Sequence, residues 1–156
     1  MSGKQGEHIM NHIEIKFNAI TSNIAFARTS VCAFIAPLNP TLEEIAEIKT
    51  IVSEAVSNAI IHGYRQDAKR YVFLKASYKE QTLEIIIQDY GVGIENIEKA
   101  MTPCYTTNNE EEHAGMGITI MQSLSDDFSI KSTLGLGTKI YIQKSLTNSL
   151  VESIKW

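Results

Sequence analysis

Thr41-Leu42-Glu43-Glu44-Ile45-Ala46-Glu47-Ile48, continuing through Ser53-Glu54-Ala55-Val56-Ser57-Asn58-Ala59-Ile60-Ile61-His62-Gly63, carries the best-signalled helix in the chain. Thr41 and Glu44 make a Thr-x-x-Glu capping box at its start. Ile45, Ile48, Val52, Ala55 and Ala59 recur at helical spacing as a core stripe, and Gly63 is placed to stop the helix in a left-handed turn. At 100° per residue, Glu54, Asn58 and His62 fall one turn apart on a different stripe. Three polar groups therefore share one edge of a helix that must bury its other side.

Upstream, Ile13, Ile15 and Phe17 alternate with polar residues at the period of a half-buried strand. A helix follows, capped by Ser22 or Asn23, with Ile24, Ala27, Val31, Phe34 and Ile35 on its apolar side and Pro37 and Pro40 ending it. Arg28 lies beside that stripe. Downstream, Tyr71 to Tyr78 and Leu83 to Gln88 read as strands joined by the polar turn Lys79-Glu80-Gln81-Thr82, an antiparallel hairpin closed by Asp89. A short helical piece around Ile97 to Met101 leads into a polar stretch from Thr102 to Ala114, which has no periodicity and reads as a mobile loop. Gly115-Met116-Gly117 is expected to open a helix through about Leu124, before two last strands, Phe128 to Lys131 and Lys139 to Gln143. Adjacent paired strands and grouped helices imply an α+β fold: a two-layer α/β sandwich on a mixed, mostly antiparallel sheet, with helices on one face. Residues 1–146 form one domain with an N-terminal arm, and 147–156 a weakly helical tail.

The chain has 156 residues, 44% hydrophobic and 21% charged, with a formal charge of −4. That composition buries a substantial core and lacks the cationic face that phosphate neutralisation requires, which argues against direct DNA binding. No apolar run reaches a membrane span and the polar start is no secretory signal, so a cytoplasmic location is expected. Cys32 and Cys104 sit in unrelated contexts without ligand-spaced partners, against a disulfide framework or a zinc site.

Six of the nine glycines form Gly-X-Gly pairs, at 91/93, 115/117 and 135/137. None completes a P-loop or a dinucleotide fingerprint. Gly115-Met116-Gly117 at a helix start would expose N–H groups to an anion. Asp89, at the end of an apolar strand before Gly91 and Gly93, is an acceptor suited to an amino group. The amide oxygen of Asn58 suits Mg²⁺, and Glu54, one turn earlier, could take a proton from a hydroxyl nucleophile. Taken singly, each motif also fits a purely structural role, a satisfied turn or a solvated helix face.

Their order is more specific: Glu-x-x-x-Asn with His-Gly, Asp-x-Gly-x-Gly, a polar loop, Gly-x-Gly, then Gly-Thr. It resembles the Bergerat-type ATP-binding fold shared by gyrase-type topoisomerases, heat-shock chaperone ATPases, histidine kinases and mismatch-repair ATPases. Within that superfamily, Ser53 through Tyr64, Phe26-Ala27-Arg28, Ile48-Lys49, Cys104-Tyr105-Thr106-Thr107 and Gly115 through Met121 resemble the sporulation anti-sigma F factors, which are serine kinases. The likeness spans roughly residues 12 to 146.

That resemblance implies ATP or ADP as ligand, with Mg²⁺ held by Asn58 and Glu54 as general base. Asp89 would accept from the adenine amino group, helped by Thr138 through water, while Gly91 and Gly93 let the base seat closely. Gly115, Met116 and Gly117 would donate main-chain N–H groups to phosphate, and Thr102 to Ala114, including Thr106, Thr107 and His113, would form a lid over the nucleotide. Arg28 would contact a protein partner. The implied partners are a sigma factor and a serine-bearing anti-anti-sigma factor, bound by a homodimer. Relatives carry an arginine just before the glycine pair, whereas His113 and Ala114 stand here. An imidazole gains charge only as pH falls, so transfer would be slow or pH-sensitive. The alternative is a nucleotide-gated sigma-binding module with little kinase activity. A histidine kinase would need a phosphoacceptor helix, which the sequence does not present, and the His-Arg-Asp and Asp-Phe-Gly elements of eukaryotic-type kinases are absent.

Overall fold

The computed structural model describes residues 10–101 and 109–152. Their element order is β1 (Asn11–Asn18), α1 (Asn23–Ile35), α2 (Leu42–Ser57), β2 (Tyr71–Lys79), β3 (Thr82–Asp89), α3 (Ile97–Met101), α4 (Asn109–Leu124), β4 (Asp127–Thr133), β5 (Gly137–Ser145) and a single turn, α5 (Ser149–Glu152). The five strands form one sheet in the order β1-β2-β3-β5-β4. All four pairings are antiparallel, so the expected mixed sheet is corrected to a wholly antiparallel one. Only β2–β3 and β4–β5 are hairpins; β1 reaches β2 through α1 and α2, and the chain leaving β3 runs through α3 and α4 to the edge strand β4 before β5 returns beside β3.

The helices lie on one face, where β3 alternates Leu83, Ile85, Ile87 and Asp89 inward with Thr82, Glu84, Ile86 and Gln88 outward. Against that face pack Ala27, Val31 and Ile35 of α1, Ile48, Ile51, Val52, Ala55 and Val56 of α2, and Ile118 and Met121 of α4. Burying an isoleucine such as Ile48 fully is worth about 2 kcal/mol. Ile51, outside the expected core stripe, is fully buried because α2 packs against both α1 and α4.

The capping box of α2 is present as expected: Glu44 N donates to Thr41 Oγ1 (3.1 Å) and Thr41 N to Glu44 Oε1 (2.9 Å). The other carboxylate oxygen of Glu44 accepts from Thr147 N at 2.7 Å, so one side chain starts α2 and anchors the chain leaving the sheet. At α1 the expected side-chain cap is absent; Ser22 takes helical angles and Asn23 Nδ2 donates to Asn18 O at 2.9 Å.

Two boundaries differ in ways that matter for the site. Beyond Ser57 the chain widens into a π-helical turn over Asn58–Gly63, closed by Tyr64 N donating to Ala59 O at 2.9 Å. Gly63 is therefore not a left-handed stop; the positive φ values fall later, at Arg65 and Gln66. And α4 begins at Asn109, so Gly115-Met116-Gly117 stands inside the helix instead of opening it. The main-chain N–H groups there belong to the helical ladder, which corrects the expectation that they offer free donors to phosphate.

Candidate functional site

The π-helical turn sets the site. An inserted residue in a helix turns the following side chains out of the regular stripe, and such turns recur where function demands it. Here Asn58 and His62 both face a cleft bounded by α2, α4 and the ends of β3 and β5. The wider part is a cavity of about 360 Å³ whose walls include Glu54, Asn58, His62, Met116 and Gly117. It continues into a crevice of about 10 Å³ that reaches Gly63, Asp89, Gly93 and Thr138. Asn58 and His62 line both. The structure thus joins Glu54, Asn58, Asp89, Gly93, Met116, Gly117 and Thr138, residues scattered over 85 positions of sequence by their numbers 54 to 138.

Asp89 is 5% exposed. Its Oδ1 accepts from Gly91 N at 2.9 Å. Burial pushes its carboxyl up from 3.8 to about 6, against the lowering pull of main-chain hydrogen bonds from Gly91 and Thr138 and the charge of Arg70. The carboxyl group sits against Gly63 so closely that a Cβ there would lie 2.7 Å from Asp89 Cγ. Gly91 in turn stacks on Gly63, where a Cβ would fall 2.0 Å from Gly63 O, and Val92 N donates to that oxygen at 2.9 Å. Gly63 and Gly91 are thus required by close approach of chain to chain.

Opposite Asp89 in the sheet register stands Thr138, buried, its Oγ1 2.7 Å from Ser132 Oγ. Ser132 Oγ also accepts from Ile94 N at 2.6 Å, tying the loop after Gly93 to the β4–β5 hairpin. At the other end, Glu54 is half-buried and directs its carboxylate at α4: a Cβ on Gly117 would lie 2.7 Å from Glu54 Oε2. Gly117 makes room for a carboxylate, a role that its reading as a phosphate donor did not anticipate.

Asn58 Oδ1 is buried without a hydrogen-bond partner. An orphaned amide oxygen on a residue that lines the cavity fits a hard cation such as Mg²⁺, which takes few protein ligands and shares phosphate oxygens. Among the described residues no three of His, Cys, Asp or Glu cluster as a metal cage, so a cation here would depend on Asn58 and on the ligand itself.

Arg28 is half-buried on α1 and lines neither cavity. Its charge and that of Lys49 both act to lower the pKa of the Cys32 thiol. Burial nonetheless pushes that thiol up, as expected of an inert cysteine. Gly115 is buried in α4, its carbonyl accepting from Thr119 Oγ1 at 2.9 Å. The expectations for Thr106 and Thr107 lie outside the described residues, and His113 falls where the side chains are not described.

Sequence reading missed Tyr64, Arg70 and Ser132. Each acts through hydrogen bonds to the main chain of segments distant in sequence, and no local pattern signals that.

Residues 17–144 match the family described as the histidine kinase-like ATPase domain. The anti-sigma F factor of Shouchella clausii is 48% identical over 139 residues, covering 89% of this chain and 95% of that protein. Those of Bacillus licheniformis and Priestia megaterium are 47% and 44% identical, with the same coverage. A crystal structure of the RsbU and RsbW domains of a Mycobacterium tuberculosis protein superposes with a TM-score of 0.63 at 19% identity, over 87% of this chain and 32% of that one. At that identity the likeness speaks for the fold.

Proposed function

The chain belongs to the histidine kinase-like ATPase family and, within it, to the anti-sigma F factors, and from that premise we propose that its cleft binds Mg·ATP and transfers the γ-phosphoryl group to a protein serine. As an anti-sigma factor it binds and inhibits a sporulation sigma factor. The serine belongs to an anti-anti-sigma factor, which phosphorylation inactivates. Arg28 contacts a protein partner, and the working unit is a cytoplasmic homodimer.

The single observation that carries the nucleotide reading is the buried Asp89, a carboxylate held by the main chain at the closed end of a cleft whose open end is lined by Glu54 and Asn58. An ionised carboxylate only accepts hydrogen bonds, so its partner is a donor such as the adenine amino group. Thr138, buried beside it, completes the polar edge through water. The crevice at that end is about 10 Å³, so it must widen when a purine enters. The phosphates then lie in the larger cavity between Asn58 and the Met116–Gly117 surface of α4.

Mg²⁺ bound there supplies charge neutralisation of the phosphates. Asn58 presents its amide oxygen to that cation. Glu54 accepts the serine proton as the serine oxygen bonds to the γ-phosphorus and the bond to the β,γ-bridging oxygen breaks, leaving ADP and phosphoserine. Phosphoryl transfer needs positioning and a well-placed acceptor more than covalent help, and α2 provides both from one helix edge.

Glu54→Gln tests the assignment. It retains ATP and sigma-factor binding and loses about 10²-fold or more in phosphorylation of a purified anti-anti-sigma factor. Undiminished transfer by Glu54→Gln removes Glu54 as the base. A wild-type protein that binds ATP and sigma factor yet transfers nothing is a nucleotide-gated binding module.

A further inference from the structure

Resting on that nucleotide reading, we propose that Tyr64 and Arg70 are positioning residues that hold the Asp89 carboxylate in line with the purine 6-position and thereby set the preference for adenine over 6-oxopurines. Asp89 ends β3, and its position depends on how the next peptide is held. Tyr90, the residue that follows, is held through both of its main-chain polar groups, one in each of the two peptides that flank it. Tyr90 N donates to Tyr64 Oη at 2.8 Å, and Tyr90 O accepts from Arg70 Nη2 at 2.6 Å.

Tyr64 is buried, 6% exposed, and its hydroxyl has one proton. It donates that proton to Tyr71 O at 2.6 Å, which leaves a lone pair for Tyr90 N and fixes the direction of the relay from the start of β2 to the end of β3. The Arg70 guanidinium lies 4.9 Å from the centre of the Tyr64 ring, so the two clamps brace each other. Tyr64 is itself set by the π-helical turn, through its N–H to Ala59 O. One turn of chain therefore places Asn58, Gly63 and the clamp together.

The tolerance is small. Asp89 lies against Gly63 and Gly91 against the carbonyl of Gly63, so a tilt of the Tyr90 peptide moves the carboxylate out of its slot. An adenine amino group donates to that carboxylate, whereas a 6-oxo group presents a second acceptor. A site built to receive a donor rejects the analogue lacking it only while its own acceptor stays in place.

The experiment is calorimetric titration of the full chain with Mg·ATP and Mg·ITP, for wild type, Tyr64→Phe and Arg70→Gln. Wild type prefers ATP. Tyr64→Phe loses about tenfold of that preference, the scale of a hydrogen bond to a charged group, while ITP affinity stays within about twofold. Arg70→Gln, at an exposed position that tolerates substitution, shifts the ratio in the same direction by about threefold. A merely structural role would weaken both nucleotides in parallel, and that result, or an unchanged ratio in both variants, overturns the proposal. A wild type that binds neither nucleotide overturns the nucleotide reading itself, which separates the two failures.

Discussion

Among the described residues Asp89 and Glu54 are the two carboxylates of the cleft, and each lies against a glycine, yet the ends they occupy are built differently. Asp89 is buried at a crevice of about 10 Å³, held by main-chain donors and backed by the Gly63–Gly91 stack, where backbone meets backbone. Glu54 lies on the wall of a cavity of about 360 Å³, and only the tip of its flexible side chain approaches Gly117. At the proposed base end the acceptor is already fixed but the crevice must widen to admit a purine, whereas the proposed transfer end is already an open cavity.

That contrast can be broken in stability measurements. Gly91→Ala drives a methyl to 2.0 Å from Gly63 O, and neither backbone can yield, so denaturant unfolding registers a loss of about 3 kcal/mol or more. A loss below about 1 kcal/mol would show the base end to be as pliant as the other.

Asp89→Asn acts in the opposite direction at neutral pH. The folded protein holds the Asp89 proton up to about 6, above its ordinary 3.8, so this group's favourable contribution is present below 3.8 and lost as pH rises through 6. Removing the charge makes the chain more stable than wild type by about 2–3 kcal/mol at pH 7.5, with the gap closing toward pH 4. A gap independent of pH would contradict the burial argument.

Thr41→Ala, at the far end of α2, removes the acceptor for Glu44 N and costs about 1 kcal/mol. It leaves nucleotide affinity unchanged if α2 transmits nothing from its cap to the cleft. The smallest stability effect belongs to Gly117→Ala: rotating the Glu54 side chain away costs about 1 kcal/mol, and replacing glycine in a helix interior returns about as much. Thermal unfolding stays near wild type while phosphorylation falls, because the carboxylate has moved.

The sequence was legible where structure follows a local rule. The capping box at Thr41 and Glu44, the hairpin read as Tyr71 to Tyr78 and Leu83 to Gln88, and the placement of Asp89 at a strand end rest on spacing and turn chemistry, and all are present, the strands each reaching into the expected turn as Tyr71–Lys79 and Thr82–Asp89. It misled at Gly63 and at Gly115-Met116-Gly117, where glycine was assigned to conformational freedom or free N–H groups. In the structure, Gly63 and Gly117 are needed because a carboxylate from another element lies where a Cβ would be. Contacts between distant segments of that kind leave no periodic trace, and the Tyr64 and Arg70 bonds to Tyr90 are hidden for the same reason.

In the proposed complex a purine triphosphate occupies the cleft with its base at Asp89 and its phosphates at Asn58. Calorimetric titration of the chain with Mg·ATP, comparing wild type with Asp89→Asn, decides whether that placement holds. That placement requires saturable heat with one nucleotide per chain, weakened about tenfold or more by the substitution. No saturable heat from a folded wild-type sample, or equal affinity in the two proteins, would contradict it.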